Sequence, residues 1–219
     1  MVTTYNIHPK TPQSREIAAV CEELRRGAIM LYPTDTVYAI GCDLSSKNAI
    51  KRVRQLKQLS NDKPLTFLCA SLSNVADYAH VSDPAFKLIK HLIPGPYTFL
   101  LPATKAVPKL VVNPKRKTTG IRVPKDPICH ALIETLGNPV ISTSASPIVR
   151  NSTEDDIETL SKVELFERME KLVDVIIDSD IDLSYQVSTI LDLTSPAPRV
   201  TRQGQGWQDA IAWGAELAD

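Results

Sequence analysis

The sequence predicts a single-domain α/β protein, and two features of its pattern support this. Helical and strand-like segments alternate from one end of the chain to the other, which favours a sheet flanked by helices over two packed sheets. No repeat or low-complexity linker divides the 219 residues, of which 43% are apolar and 23% charged, as in ordinary globular domains. We therefore expect one domain over residues 1–205 and a C-terminal tail of uncertain order over 206–219.

The first helix is predicted after Thr11 and Pro12, which have the residue types of an N-cap and a first helical position. Apolar residues then repeat at helical spacing until Gly27 provides a stop. The elements predicted next are a buried strand at 28–32, a helix capped by Ser45 or Ser46, a strand at 65–69, a helix opened by Asp83 and Pro84, and a strand at 97–101.

In the second half, a helix over 126–136 is predicted between two strands, and Gly137 ends it. The acid-rich stretch 154–171 predicts one or two exposed helices. The remaining predicted elements are strands at 119–123, 139–143, 173–177, 189–193 and 199–202.

The composition excludes several classes of protein. The uncharged stretch 92–104 contains three prolines and is shorter than the roughly 20 residues of a membrane-spanning helix. Residues 1–10 lack the apolar stretch of a secretory signal. The four cysteines lie at least 20 residues apart without a C-x-x-C pair, and the histidines lack metal-ligand spacing. We expect a cytoplasmic protein with reduced thiols and no metal site built from its side chains.

The net charge of zero conceals a segregation of charge along the chain. Residues 1–125 carry 19 lysines and arginines against 8 acids, whereas residues 126–219 carry 6 against 17. An anionic ligand such as RNA is one explanation of the basic part, and a solvated surface is the other. The densest basic run, which we predict to bind RNA, contains Lys105, Lys109, Lys115, Arg116 and Lys117.

Hydroxyl-rich segments recur where predicted strands end. In open α/β sheets ligands collect beyond the strand ends, where hydroxyls and backbone N–H groups can hold phosphate oxygens. Helix capping and turn formation are the alternative for any one segment alone. The four segments are 33–36, 117–122, 142–146 and 188–189.

Three basic residues near these segments are candidates for binding an anion. Lys57 follows an apolar helical stripe and Lys63 lies in the turn before the next strand, so either can balance phosphate charge. A surface lysine near a helix C-terminus is the alternative for both. Arg122 stands inside a strand-like stretch, where a guanidinium needs an anionic partner such as a carboxylate.

The segment from Leu31 to Asp43 resembles the opening signature of the YrdC/YciO family, whose members include threonylcarbamoyl-AMP synthases. The resemblance extends over about residues 14–205. Further motifs match in the family's order, namely Lys57 with 63–65, then 94–98, 120–124, 143–145, 188–192 and 202–204.

The resemblance implies an α/β fold with a twisted mixed open sheet, flanking helices and a concave basic cavity. The implied reaction joins L-threonine, bicarbonate and ATP into threonylcarbamoyl-AMP and pyrophosphate, with Mg²⁺ assisting, for later transfer to tRNA. Some members bind double-stranded RNA or tRNA. By position, Thr36, Arg122 and Ser188 resemble contacts to threonine, and Lys57 and Arg122 resemble the catalytic pair. The residues that resemble the nucleotide-binding set are Lys57, Lys63, Thr118, Ser144, Ser146 and Arg202.

Two departures from the synthase pattern match the YciO branch. Synthases show Lys-x-Arg-Pro, whereas Leu59 stands here in place of the arginine, and Ser146 replaces the last residue of Ser-Ala-Asn. A missing phosphate-facing arginine costs on the order of 3 kcal/mol in the transition state, about a hundredfold in rate, unless Arg54 replaces it. We expect nucleotide and RNA binding, and the resemblance leaves synthase activity open.

The sequence is therefore consistent with two functions. One is an ATP-dependent synthase acting on L-threonine or a related amine, and the ordered motifs and Arg122 favour it. The other is a module that binds double-stranded RNA or tRNA without turnover, which the basic run and the lost cation favour. A scaffold with an inactive cavity fits the composition but explains neither Arg122 nor the motif series.

Overall fold

The structure is a computed structural model of the 219-residue chain, and it describes residues 2–59, 65–145, 161–180 and 186–218. The helices in these ranges are α1 (Ser14–Arg25), α2 (Lys47–Leu56), α3 (Leu72–Tyr78), α4 (Asp83–Leu92), α5 (Pro127–Leu136), α6 (Lys162–Met169) and α7 (Trp207–Ala212). The strands are β1 (Thr3–Asn6), β2 (Met30–Tyr32), β3 (Ala39–Asp43), β4 (Thr66–Leu68), β5 (Tyr97–Pro102), β6 (Thr118–Arg122), β7 (Val140–Ser144), β8 (Val175–Asp178), β9 (Thr189–Asp192), β10 (Arg199–Arg202) and β11 (Glu216–Leu217).

All of these strands belong to one sheet in the order β1-β8-β2-β3-β7-β4-β6-β5-β9-β10-β11. The sheet contains both parallel pairs, such as β4 with β6, and antiparallel pairs, such as β3 with β7. The sheet does not close, since β1 and β11 stand at opposite edges of the described order. The expected mixed open sheet flanked by helices is therefore confirmed.

Side chains that alternate along the strands enter two separate cores, one on each face of the sheet. Ile40 and Phe67 point into the larger core, which also receives the buried residues of α2 and α4. Met30, Tyr32 and Val140 point into the smaller core, which α1 and α5 complete. Since these two helices pack against each other, they cover only part of their face of the sheet.

Most predicted helix starts are confirmed because their capping residues act locally. Ser46 caps α2, Ser82 precedes the predicted Asp83 start of α4, and Asp126 caps α5 through the backbone N–H of Cys129. Gly137 ends α5 with φ of 75°, a conformation that favours glycine.

The predicted cap of the first helix is wrong. Helix α1 begins at Ser14 after Gln13, which makes no side-chain cap. The Thr11 hydroxyl instead lies 2.9 Å from Nδ1 of His8, within the turn that leads from β1 to the helix.

Residues beyond 205 are ordered against the sheet rather than forming a loose tail. Helix α7 follows Gly206, whose carbonyl accepts a 3.1 Å hydrogen bond from the Tyr97 hydroxyl. Strand β11 pairs in parallel with β10. Therefore the sheet continues past the expected boundary at 205.

The described part of the acid-rich stretch is α6, which is only half exposed. Leu165 and Met169 are buried, and the Phe166 ring packs edge-on against Tyr38. Residues 154–160 lie outside the described ranges. Within those ranges no helix is both long enough and apolar enough to cross a bilayer.

Candidate functional site

A cavity of about 180 Å³ lies on the face of the sheet that α1 and α5 cover in part. Its floor consists of alternate residues on neighbouring strands. Thr66 pairs with Ser142 on one side and with Gly120 on the other, and Leu68 pairs with Arg122. Its lining residues are Thr34, Thr36, Val37, Ala39, Leu59, Leu65, Thr66, Leu68, Thr98, Arg122, Ser142, Thr143, Ser144, Val187, Ser188, Ile190 and Arg202.

Gly120 gives this floor its depth. A Cβ at that position would lie 2.6 Å from Oγ1 of Thr66 and 3.4 Å from Cγ2 of Thr98. Both threonines therefore occupy the space above the glycine. Any larger residue at 120 would collide with the Thr66 hydroxyl and press on the Thr98 methyl group.

The loop between β2 and β3 forms one wall of the cavity. The Thr34 hydroxyl donates to the carbonyl of Val37 at 2.7 Å and accepts from the backbone N–H of Thr36 at 3.1 Å. This local turn is typical of threonine side chains that bond to neighbouring backbone. It holds Thr36, which is 2% exposed, toward the floor.

Arg122 connects this wall to the floor. Its Nη1 donates to Oγ1 of Thr36 at 3.0 Å, and its Nη2 donates to Oδ1 of Asp35 at 2.5 Å. The other carboxylate oxygen of Asp35 accepts the backbone N–H of Lys125 at 2.9 Å. Arg122 is 7% exposed, and its Nε lacks a partner among the described residues.

At the other end of the cavity, Ser188 and Arg202 form a single hydrogen-bonded unit. The Ser188 hydroxyl lies 3.0 Å from that of Thr98 and also accepts from Nη2 of Arg202 at 3.0 Å. The Ser188 carbonyl accepts from Nε and Nη2 of the same arginine. Partial burial of this guanidinium and the charge of Arg122 lower the pKa of Arg202.

Lys57 reaches the rim of the cavity from the end of α2. Its Nζ lies 2.5 Å from the carbonyl oxygen of Ser144 and donates to it. Burial lowers the pKa of Lys57 to about 7, because the described surroundings hold no carboxylate that would stabilise the ammonium. The lysine is therefore close to half protonated at neutral pH.

Leu59 lines the cavity where the synthase pattern has an arginine. Arg54 is 8% exposed and donates from Nη1 to the carbonyl of Leu110 at 3.1 Å. Arg54 is not among the lining residues, so the contacts described do not support it as a replacement.

Five of the predicted site residues line this one cavity: Thr36, Arg122, Ser144, Ser188 and Arg202. Lys57 contacts it through Ser144. Thr118 is buried on the same strand as Arg122 but does not line the cavity. Lys63 and Ser146 lie outside the described residues.

Some of the lining hydroxyls stand on a strand face, whereas Thr34, Thr36 and Ser188 lie outside the strands, next to strand ends as expected. Thr66, Thr98 and Ser142 lie within β4, β5 and β7. The sequence analysis did not select Thr66 or Thr98. The signal that could have found them is the alternation of strands, since each stands between apolar neighbours that enter the larger core.

The predicted RNA-binding run is exposed in the loop between β5 and β6. Lys105, Lys109, Lys115 and Lys117 are all exposed. Arg116 is also exposed, but its Nη2 forms a 2.6 Å ion pair with Asp192 of β9. The charge of Arg116 is thus compensated within the chain.

Metal ligands are scarce around the cavity. Across the described ranges, no cluster of three or more histidine, cysteine, aspartate or glutamate side chains could hold a metal ion.

Comparison with known proteins relates this geometry to a family. The Sua5/YciO/YrdC family model, described as telomere recombination, matches residues 22–204. The uncharacterized protein YciO of Escherichia coli K12 is 42% identical over 202 residues, which cover 92% of this chain and 95% of that protein. Threonylcarbamoyl-AMP synthase of Vibrio vulnificus YJ016 is 28% identical over 188 residues, covering 84% and 96%.

Solved structures agree with these relatives. The crystal structure of E. coli YciO superposes with a TM-score of 0.85 at 41% identity, covering 94% of this chain and 97% of that one. P. abyssi Sua5 complexed with L-threonine gives 0.83 at 25% identity, covering 99% of this chain and 63% of that one. From the matched family model and the 42% identical relative, the chain belongs to the Sua5/YciO/YrdC family.

Proposed function

We propose that the chain is an ATP-dependent enzyme that converts an amino acid, L-threonine or a related amine, into its carbamoyl-adenylate. Bicarbonate takes up a proton and loses water to give carbon dioxide, and the neutral amine nitrogen attacks its carbon and gives up a proton to form the carbamate. A carbamate oxygen then attacks the α-phosphorus of ATP, and the bond from that phosphorus to pyrophosphate breaks. The observation that carries the proposal is the convergence of Thr36, Arg122, Ser188 and Arg202 on one cavity.

The size and lining of the cavity fit an amino acid. Sites for drug-sized ligands usually enclose about 300–1,000 Å³, so a cavity of about 180 Å³ suits a smaller molecule. Arg122 provides a guanidinium for a carboxylate, Thr36 provides a hydroxyl that contacts it, and Ser188 provides another hydroxyl in the lining of the same cavity. P. abyssi Sua5, a relative in this family, has been solved with L-threonine.

The nucleotide is assigned to the side of Arg202, Ser144 and Lys57. Positioning of the reactants and cationic neutralisation supply the catalysis in this proposal, since the reaction needs no protein nucleophile. ATP and Mg²⁺ are proposed as a pair, with the metal carried by the phosphates. A cytoplasmic setting is part of the proposal, since the four cysteines are buried and unpaired.

Because of Leu59, we expect slow turnover in the proposed reaction. It places an apolar side chain in the cavity wall at the position of a synthase cation, and we expect roughly a hundredfold lower rate for that reason. The variant Leu59→Arg should therefore raise the rate, which distinguishes a weakened synthase from a cavity without catalytic function.

The direct test measures pyrophosphate release by purified protein with ATP, Mg²⁺ and bicarbonate, with and without L-threonine. Release should depend on the amino acid, fall at least tenfold in Ser188→Ala and persist in the matched control Ser195→Ala, whose serine does not line the cavity. Failure of a panel of amino acids to stimulate release, beside an active synthase as positive control, would refute the proposal.

We propose as a second function that the exposed run between β5 and β6 binds tRNA or double-stranded RNA. The supporting observation is that four exposed lysines share one loop while Arg116 is held by Asp192. Duplex affinity should fall steeply between low and moderate salt, because neutralised phosphates release counterions.

Replacing Lys115, Arg116 and Lys117 together by alanine should abolish most of this binding. A matched control replaces the exposed Lys47, Lys51 and Lys87 by alanine, which removes the same charge from other surfaces. Equal losses in the two triple variants would mean that the protein binds RNA through general charge alone.

A further inference from the structure

The two arginines that line the cavity differ in how their charge is compensated. Arg122 forms an ion pair with Asp35 in which the two side chains are only 8% and 11% exposed. Arg202 is exposed as a residue, and among the described residues its guanidinium donates to the carbonyl and hydroxyl oxygens of Ser188. No described carboxylate pairs with it. The described residues therefore leave the positive charge of Arg202 uncompensated.

Asp35 acts on the cavity through Arg122 rather than by lining it. Asp35 is absent from the lining of this cavity, and it lines a second cavity of about 400 Å³ on the far side of the Thr34–Val37 wall. Both of its carboxylate oxygens are engaged, one by Arg122 and the other by the backbone N–H of Lys125. The carboxylate is thus held in place from two sides.

This compensation changes which anions Arg122 attracts. An unpaired guanidinium in a partly buried site attracts anions in proportion to their charge, so a polyphosphate would compete strongly with a singly charged carboxylate. A guanidinium paired with a carboxylate has little net field, yet it keeps N–H groups that recognise a ligand by geometry. The Nε of Arg122, which has no partner among the described residues, is one such donor.

We propose that Asp35 is a specificity-determining residue that reserves the Arg122 end of the cavity for the carboxylate of an amino acid and leaves Arg202 as the phosphate-binding end. This rests on the proposed function in one respect, namely that the cavity binds an amino acid. It adds the reason why the phosphates do not occupy the amino-acid end.

The test measures binding of L-threonine and of inorganic pyrophosphate by calorimetry, each alone and in the presence of the other. In the unsubstituted protein pyrophosphate should bind without displacing L-threonine. Arg202→Ala should weaken pyrophosphate at least tenfold, and more than it weakens L-threonine, which Arg202 affects through its contacts to Ser188. In Asp35→Asn, pyrophosphate should bind about tenfold more tightly and should displace L-threonine.

Two further variants separate charge from shape. Asp35→Glu keeps the negative charge and should restore discrimination against pyrophosphate. Asp174→Asn is a matched control, because Asp174 also pairs with an arginine, Arg52, and accepts a backbone N–H, from Ile29. Neither Asp174 nor Arg52 lines the cavity, so that variant should leave both affinities unchanged.

The outcomes distinguish this inference from the proposed function. Competition between pyrophosphate and L-threonine in the unsubstituted protein would overturn the inference and leave amino-acid binding intact. Unchanged pyrophosphate affinity in folded Asp35→Asn would also overturn it. If L-threonine and related amino acids do not bind at all, the proposed function fails. In that case, tighter binding of pyrophosphate to Asp35→Asn than to the unsubstituted protein would still support the role of Asp35. If Asp35→Asn does not fold, the competition experiment and Arg202→Ala decide the question.

Discussion

The face of the sheet that carries the cavity has two halves, and they differ in what lies above them. Under α1 and α5 the strand residues Met30, Tyr32 and Val175 are apolar and closed over by the helices. On β4, β5 and β7 the equivalent positions are Thr66, Thr98 and Ser142, and they line a cavity. The same alternation thus produces a core where an apolar helix covers the sheet and an open cavity where none of the described helices does.

The closed half should determine the stability of the fold. Leu132 of α5 is fully buried between the helices and the sheet. Leu132→Ala should lower the free energy of unfolding by about 3 kcal/mol, from lost transfer energy and the space left behind. Urea denaturation would measure it, and L-threonine affinity in the folded variant should stay within about twofold. A large loss of affinity without a loss of stability would show that the two halves are not separable in this way.

The floor of the open half should not accept a larger residue at its glycine. In Gly120→Ala the new Cβ would meet Oγ1 of Thr66 at 2.6 Å, and overpacking of this kind costs about 1–3 kcal/mol. We expect lower stability together with weaker ligand binding. Combining it with Thr66→Ala removes the colliding oxygen, leaving a 3.4 Å contact, and should recover most of the stability. No recovery in thermal denaturation would mean that the strain arises elsewhere.

At the rim between the halves, Lys57 should make stability depend on pH. Its pKa is about 7 in the folded protein against 10.5 for the unperturbed group, so between those values the unfolded chain binds more protons. The stability of the unsubstituted protein should therefore rise with pH across that window, by at most about 1.4 kcal/mol per pH unit from this residue.

Lys57→Met should remove that slope, giving a variant that is more stable near pH 7 by an amount that shrinks toward pH 10. Lys51→Met, at an exposed position of the same helix, provides the control and should leave the slope unchanged. Identical pH profiles for all three proteins in chemical denaturation would contradict a lowered pKa for Lys57.

The smallest effect on stability is expected at Thr98, although its effect on binding should be clear. Thr98→Val keeps the shape of the side chain and removes its hydroxyl contact to Ser188, so stability should change by about 1 kcal/mol. L-Threonine affinity should fall roughly five- to tenfold, since Ser188 loses its orienting partner. A loss of affinity below twofold in calorimetry would remove Thr98 from the binding surface.

Elements with local signals were predictable, and elements defined by distant partners were not. The cap at Asp126 and the stop at Gly137 depend on a few adjacent residues, so both were found. The polar strand β1 exists because the edge of β8 accepts it, and β3 is a strand because β2 and β7 pair with it from opposite sides. Neither pairing leaves a trace in the neighbouring sequence.

The residues of the candidate site also fall into two groups, those that the sequence indicated and those that depend on distant strands. Residue types pointed to Arg122 and to the hydroxyl-rich segments that contain Thr36 and Ser188, because cations and hydroxyls in strand-like segments have few apolar roles, whereas Arg202 was indicated by the family resemblance. The row made by Ser142, Thr66 and Gly120 could not be found in this way, since it depends on the register between three strands that are far apart in the chain.

Amino-acid order thus specified the alternation of helices and strands, the helix caps and the chemical character of the site, all of which depend on contacts within a few residues. Strand order, register and the area that α1 and α5 cover depend on contacts between distant segments. These long-range contacts determine that Asp35 compensates Arg122 and that Arg202 remains without a carboxylate among the described residues. Charge compensation is a matter of distances in space, and spacing along a chain does not encode it.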